Sequence, residues 1–137
     1  MSKPIGHHEA LIFVMVTLSA VDRTMTDREM MKIGEVVRQV PIFADFDANH
    51  LIAVAEDCGR RLQRPDGLES MLDLIGDTLP ERLYETAYAL AIEVAAADLY
   101  VEQEELRFLQ MLRDHLEIDK LAVAAIERSA RVRYRLA

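Results

Sequence analysis

The longest uncharged stretch of the sequence is the run ALIFVMVTLSAV at residues 10–21. It is well short of the roughly 20 apolar residues that a helix needs to span a bilayer. A helix that is apolar on every side must be enclosed by other helices, because a helix on the protein surface exposes a polar face. The run therefore predicts a central, buried helix in a protein that does not span a membrane.

The layout around this run recurs 76 residues later in the chain. Residues 9–42 align without a gap on residues 85–118, and many apolar positions stay in register, among them Val16 with Ile92, Ile33 with Leu109 and Val36 with Leu112. Self-similarity of this kind is the sequence signature of a repeated structural unit. We predict two copies of one helical hairpin, at about 9–42 and 85–118, within a single domain over 1–137. The identical pairs are Glu9 with Glu85, Ala20 with Ala96, Asp22 with Asp98, Glu29 with Glu105 and Ile42 with Ile118.

The composition is that of a soluble globular protein, with 51% hydrophobic and 29% charged residues among 137. The net charge of −8 argues against a nucleic-acid partner, because binding to phosphates needs a basic face. Cations, or a protein partner with a basic surface, fit this charge better. The single cysteine, Cys58, cannot form an intramolecular disulfide, so we expect a cytoplasmic location.

Apolar residues recur at spacings of three and four, which predicts an all-α fold with about seven helices. Thr26 and Asp119 are placed to cap two of these helices at their N-termini. We interpret the arginine-rich end of the last helix as a solvated face or a fraying tail. The predicted helices cover about 8–22, 27–40, 48–63, 67–78, 80–98, 102–116 and from 119 onward.

Acidic residues stand at the ends of the two repeated hairpins. If the two central apolar helices run antiparallel, the start of the first lies near the end of the second. This packing predicts two groups of acids, Glu9 with Asp98 and Glu105, and Glu85 with Asp22 and Glu29. Such oxygen clusters suit hard divalent cations such as calcium, magnesium or manganese, and zinc is a further candidate.

A second interpretation of the same acids is purely local. Thr26 and Glu29 have the spacing of a capping box, in which both side chains satisfy free N–H groups at a helix start. Glu102 and Glu105 stand at the corresponding places in the second copy. Capping alone and capping combined with cation binding both remain open at this point.

Three other features carry less functional information. The segment DFDANHLIAVAE at 45–56 matches much of a calcium-loop pattern but has His50 where the loop needs glycine, so we expect helix capping there. Cys58 is expected on a buried helix face as a small apolar residue. Glu93 lies in an alanine-rich run, which is either an exposed or interface strip or a buried one where an arginine of the last helix is its partner. We predict no enzymatic activity and no organic cofactor.

The segments AVDRTMTDRE at 20–29 and AADLYVEQEE at 96–105 resemble the repeated signature of the TerB-like domains, which are named for a tellurite-resistance protein. The resemblance covers nearly the whole chain. It departs from the family pattern at Arg23 and Leu99, which stand where the family has glycine. It implies a duplicated all-helical fold, an acidic surface suggested to bind metal, and association with a membrane complex, since the domain also occurs in DnaJ-like membrane proteins.

Two functional hypotheses follow. The first is a non-enzymatic TerB-like domain in a response to tellurite, metal or other stress, whose acidic clusters bind a divalent cation or a partner. The second is a metal-independent adaptor that binds a basic segment of another protein. Residues that would carry the first hypothesis are Asp22, Glu29, Asp98 and Glu105, supported by Glu9 and Glu85.

Overall fold

The computed structural model describes residues 5–21, 25–98 and 101–137, and in these it contains seven α-helices, three short 3-10 helices and no strand. The prediction of an all-α fold is therefore confirmed. None of the helices in the described ranges is long and apolar enough to cross a bilayer. The helices are α1 (His7–Ala20), α2 (Asp27–Gln39), α3 (Leu51–Leu62), α4 (Gly67–Thr78), α5 (Tyr84–Ala96), α6 (Gln103–His115) and α7 (Lys120–Arg133).

The first helix, α1, lies at the centre of the protein. Every side chain from Ala10 to Ser19 is buried, and the helix packs against α2, α3, α4, α5 and α6. Its apolar run can be buried on all sides only because five helices surround it. The second central helix, α5, packs on α1 and buries Ala87, Ala91 and Val94.

The bounds of the helices agree with the predicted 76-residue register. Helix α2 covers 27–39, and a shift of 76 gives 103–115, which are the bounds of α6. Helices α1 and α5 both end at corresponding residues, Ala20 and Ala96. Each hairpin thus begins with a largely buried helix and continues, after a loop, with an amphipathic one.

Two predicted helix starts are corrected by the structure. Asp47 accepts a hydrogen bond from the N–H of Asn49 at 3.0 Å and caps a 3-10 helix, Ala48–His50, so that α3 begins only at Leu51. The capping expected in this segment is therefore confirmed. Pro80 likewise precedes a 3-10 helix, Glu81–Leu83, and α5 covers 84–96 rather than 80–98.

The connection between α3 and α4 depends on Gly67. A Cβ at this position would lie 2.3 Å from the carbonyl oxygen of Leu62, which is a backbone atom that cannot rotate away. A Cβ at Gly59, inside α3, would meet nothing within 4 Å. The two glycines therefore differ in what an added methyl group does.

We predict that Gly67→Ala lowers the free energy of unfolding by about 1–3 kcal/mol, because the backbone must shift to admit the methyl group. Gly59→Ala is the matched control and should raise it by about 0.5–1 kcal/mol, since alanine favours a helix interior. Urea unfolding followed by circular dichroism measures both. Equal effects of the two substitutions would contradict the close approach of Gly67 to Leu62.

Candidate binding site between the hairpins

The N-terminus of α2 is closed by a reciprocal pair of hydrogen bonds. The N–H of Glu29 donates to Oγ1 of Thr26 at 3.1 Å, and the N–H of Thr26 donates to Oε1 of Glu29 at 3.2 Å. The predicted capping box is therefore confirmed. It fixes the side chains of both residues at the end of the loop that follows α1.

The end of α5 meets this capping box. The hydroxyl of Thr26 donates to the carboxylate of Asp98, with its oxygen 3.2 Å from Oδ1 and 3.1 Å from Oδ2. Thr26 thus accepts from the first turn of α2 while it donates to a charged group of the second hairpin. Hydrogen bonds to charged groups are stronger than neutral ones, so this contact joins the two hairpins at the ends of their buried helices.

Glu29 has an unusual position for a charged residue. Its side chain is 1% exposed, and no hydrogen-bond donor among the described residues reaches Oε2. Burial of an ionised carboxylate is costly unless a partner compensates it. Oε2 of Glu29 is therefore a buried carboxylate oxygen without a hydrogen-bond donor among the described residues. It lies beside Thr26, whose hydroxyl already donates to Asp98.

The second hairpin repeats the capping with a different first residue. Oε1 of Glu105 accepts from the N–H of Glu102 at 3.3 Å, and Glu105 is 1% exposed. Glu102 occupies the place of Thr26 in the 76-residue register. The two helix caps therefore share a buried glutamate but differ in the capping residue, where a carboxylate replaces a hydroxyl.

The predicted group of Glu9, Asp98 and Glu105 does not form. Glu9 accepts from the N–H of Gly6 at 3.4 Å, at the start of α1, which is about 17 Å along the helix from Ala20. Asp98 instead contacts Thr26, because the end of α5 meets the start of α2 and not the start of α1. Within the described ranges, no three His, Cys, Asp or Glu side chains come together as a metal site.

The second predicted group is placed only in part. Glu85 is exposed in the first turn of α5, which leaves it about 20 Å along the chain from Asp98. Asp22 lies outside the described residues, as do Arg23 and Leu99. The structure thus places Glu29 and Asp98 on either side of Thr26 and leaves Glu9 and Glu85 at the opposite ends of their helices.

The end of α7 is more strongly bound than the sequence suggested. Arg133 forms an ion pair with Glu93, and the hydroxyl of Tyr134 donates to Oε2 of Glu93 at 3.0 Å. An arginine of the last helix is therefore the partner of Glu93, as expected. The arginines at this end are exposed, as the prediction of a solvated face required, but Arg133 and Tyr134 also tie the end of α7 to α5.

A second polar cluster fastens α7 to α5 and α6. The hydroxyl of Tyr88 donates to Oε2 of Glu127 at 2.5 Å and accepts from Nη1 of Arg113 at 3.0 Å. Burial, and then the hydrogen bond to Glu127, raise the pKa of Tyr88 to about 12. In the sequence, Tyr88 is one more residue of an apolar helix. Its hydroxyl joins α5 to α6 and α7 because the fold buries it beside Arg113 and Glu127.

Cys58, the only cysteine, does not provide a reactive thiol. It is fully buried beside the hydroxyl of Thr17 at 3.4 Å, and burial raises the pKa of the thiol to about 11. A nucleophilic cysteine needs a lowered pKa. Its predicted place on a buried helix face is confirmed.

These observations define an all-helical domain in which the two hairpins meet through Thr26 and Asp98. Residues 8–128 match the family described as tellurite resistance protein TerB. The chain belongs to this family, whose domain is generally non-catalytic. No curated protein and no solved structure matches the sequence.

The uncompensated oxygen of Glu29 leads to a stability prediction. Glu29→Gln retains the acceptor for the N–H of Thr26 but removes the buried charge, so in the presence of EDTA it should raise the free energy of unfolding by about 1 kcal/mol or more. Glu9→Gln makes the same change at the corresponding place in α1, where the side chain is only half-buried, and should change it by less than about 0.5 kcal/mol. Loss of stability in Glu29→Gln would contradict the assignment of an unpaired charge.

The environment of Tyr88 leads to a pH prediction. Because the folded state holds the phenol proton more tightly than the unfolded chain, whose tyrosine pKa is about 10, its contribution to stability is complete below pH 10 and lost as the pH rises towards 12. Phenolate absorbance should show one of the four tyrosines ionising near pH 12. Tyr88→Phe should remove that phase. Its persistence in the variant would assign the raised pKa to another tyrosine.

Proposed function

We propose that the protein is a non-enzymatic TerB-family domain that acts in a response to tellurite, metal or other stress in the cytoplasm. In this proposal it binds a divalent cation at the junction between its hairpins. Calcium, magnesium, manganese and zinc are the candidate ions. Glu29 and Asp98 are the ligands that the described residues supply, Asp22 is a further candidate, and Glu105 is the corresponding buried glutamate at the cap of the second hairpin.

The observation that carries this proposal is the buried carboxylate of Glu29. One of its oxygens has a donor in the capping box, and the other has none among the described residues. Hard divalent cations take carboxylate oxygens as ligands, and a bound cation would compensate the buried charge. Asp98 adds a second carboxylate on the same threonine, so the donor set fits a hard cation in kind.

The structure also suggests what the protein itself contributes. The capping box fixes Thr26 and Glu29, and Thr26 in turn orients Asp98 through its hydroxyl. A ligand shell that is oriented before the ion arrives loses little conformational freedom on binding. Binding of the ion would then strengthen the contact between the two hairpins.

Calorimetric titration of the metal-free protein with each chloride salt tests the proposal. We expect one of the four ions to bind, and Asp98→Asn and Glu29→Gln to weaken that binding by at least about tenfold, equivalent to about 1.4 kcal/mol. Glu105→Gln tests the buried glutamate of the second hairpin. Asp77→Asn, an exposed acid of α4, is the control for loss of one negative charge and should bind as the wild type does.

A second candidate function is a metal-independent adaptor that uses its acidic surface to bind a basic segment of another protein. It is favoured by the fact that the described residues bring no three potential ligands together. Binding would then weaken with salt, because exposed charges are screened. A lysine-rich peptide that binds equally well with and without EDTA supports the adaptor, whereas loss of binding in EDTA supports the cation site.

A further inference from the structure

A large open groove lies between α5, α6 and the end of α7, and Asp98 is among its lining residues. Its volume is about 1100 Å³. Its floor is apolar and includes Ile92 and Ala95 from α5 with Leu106 and Leu109 from α6. Leu106 is 49% exposed, although it is a leucine on a helix that otherwise buries its apolar face. The apolar floor is therefore in contact with solvent mainly at Leu106, whereas Ala95 and Leu109 are buried beneath it.

The rim of this groove is basic, in contrast to the chain as a whole. Four arginines line it: Arg113, Arg131, Arg133 and Arg135. Arg113 and Arg133 are engaged with Glu127 and Glu93. Arg131 and Arg135 are exposed, and neither has a carboxylate partner within the part of the chain that the structure describes. Two arginines are thus available beside the apolar floor.

The carboxylates in the groove do not cancel these two charges. The acids among the lining residues are Asp98 and Glu127. Asp98 accepts from Thr26, and Glu127 is bound by both Tyr88 and Arg113. The positive charge of the rim therefore stands out in a protein whose net charge is −8.

We propose that this groove binds an acidic amphipathic helix of another protein. An amphipathic helix lays apolar side chains at positions i, i+3, i+4 and i+7 into such a groove, while its flanking residues meet the rim. Complementary charge selects acidic flanking residues over basic ones, because like charges at an interface are costly. Arg131 and Arg135 would contact those acids, and Leu106 would contact the apolar face.

The shape of the groove favours a helix over a lipid surface. The groove lies between three helices, so a helix laid into it contacts residues of all three, whereas a membrane presents a flat surface. The overall charge of −8 would also repel an anionic membrane. The proposed partner of the groove is acidic, whereas the proposed ligand of the junction is a cation or a basic segment. This inference therefore does not depend on the proposed function.

A displayed library of helical peptides tests the proposal. Its members carry leucine at i, i+3, i+4 and i+7, with glutamate, lysine or alanine randomised at the flanking positions. Selection on the full chain should enrich glutamate over lysine at those positions. The best sequence, made as a labelled peptide, should bind at least about tenfold more weakly to Arg131→Glu/Arg135→Glu, because two attractive contacts become repulsive.

Matched variants separate the groove from the rest of the surface. Arg128→Glu reverses an exposed arginine of α7 that does not line the groove, and should leave peptide affinity within about twofold. Leu106→Ser should weaken binding, whereas Leu121→Ser, an exposed leucine outside the groove, should not. Circular dichroism confirms that each variant is folded.

Several results would overturn the proposal. These are enrichment of lysine or of no charge, equal effects of Arg128→Glu and the double variant, or retained affinity in Leu106→Ser. Concentration-dependent dimerisation that is abolished by Leu106→Ser would assign the groove to a second copy of the chain instead. Binding of the wild type, but not of the double variant, to vesicles of anionic lipid in place of the peptides would assign it to lipid.

Discussion

The enclosure of α1 is the constraint on which the rest of the structure depends. A helix with ten consecutive buried residues, Ala10 to Ser19, can exist in water only if other helices cover every side of it. Five of the six remaining α-helices contact it. Helix α5 also packs on α1, which restricts the paths of the loops that follow these two helices. The end of α5 meets the cap of α2 through the contact between Asp98 and Thr26. The junction is thus a consequence of how the core is filled.

The elements that the sequence predicted well are those with a local physical cause. The apolar run, the caps at Thr26 and Asp119, and the 76-residue register all depend on residues close together in the chain. The fold class followed from them. The two missed helix starts, at Leu51 and Tyr84, both come after short 3-10 helices, of which one is capped by Asp47 and the other follows Pro80, and both features are also typical of an α-helix start.

The arrangement of the acids could not be predicted in the same way. Spacing along a helix gives the distance from Glu9 to the loop that follows α1. Which end of α1 lies next to the end of α5 depends instead on how the buried side chains of the two helices pack. We assumed that the start of α1 would meet the end of α5. The structure instead joins Asp98 to Thr26 and buries Glu29, so the predicted grouping of Glu9 with Asp98 was wrong.

The protein combines two surfaces of opposite character within one small domain. The junction offers buried carboxylate oxygen, whereas the groove offers exposed leucine and arginine. Asp98 borders both, since it accepts from Thr26 and also lines the groove. The basic character of α7 was visible in the sequence. Arg133 and Tyr134 hold the end of α7 against α5, and Arg131 and Arg135 remain exposed beside the groove.

The contact between the hairpins is tested most directly by a double-mutant cycle on Thr26→Val and Asp98→Ala, two positions 72 residues apart. Unfolding free energies of the wild type, both single variants and the double variant give the coupling between the side chains. A hydrogen bond to a charged group predicts a coupling of about 1.5–3 kcal/mol. Effects that add to within about 0.3–0.5 kcal/mol would show that the two hairpins are not joined there.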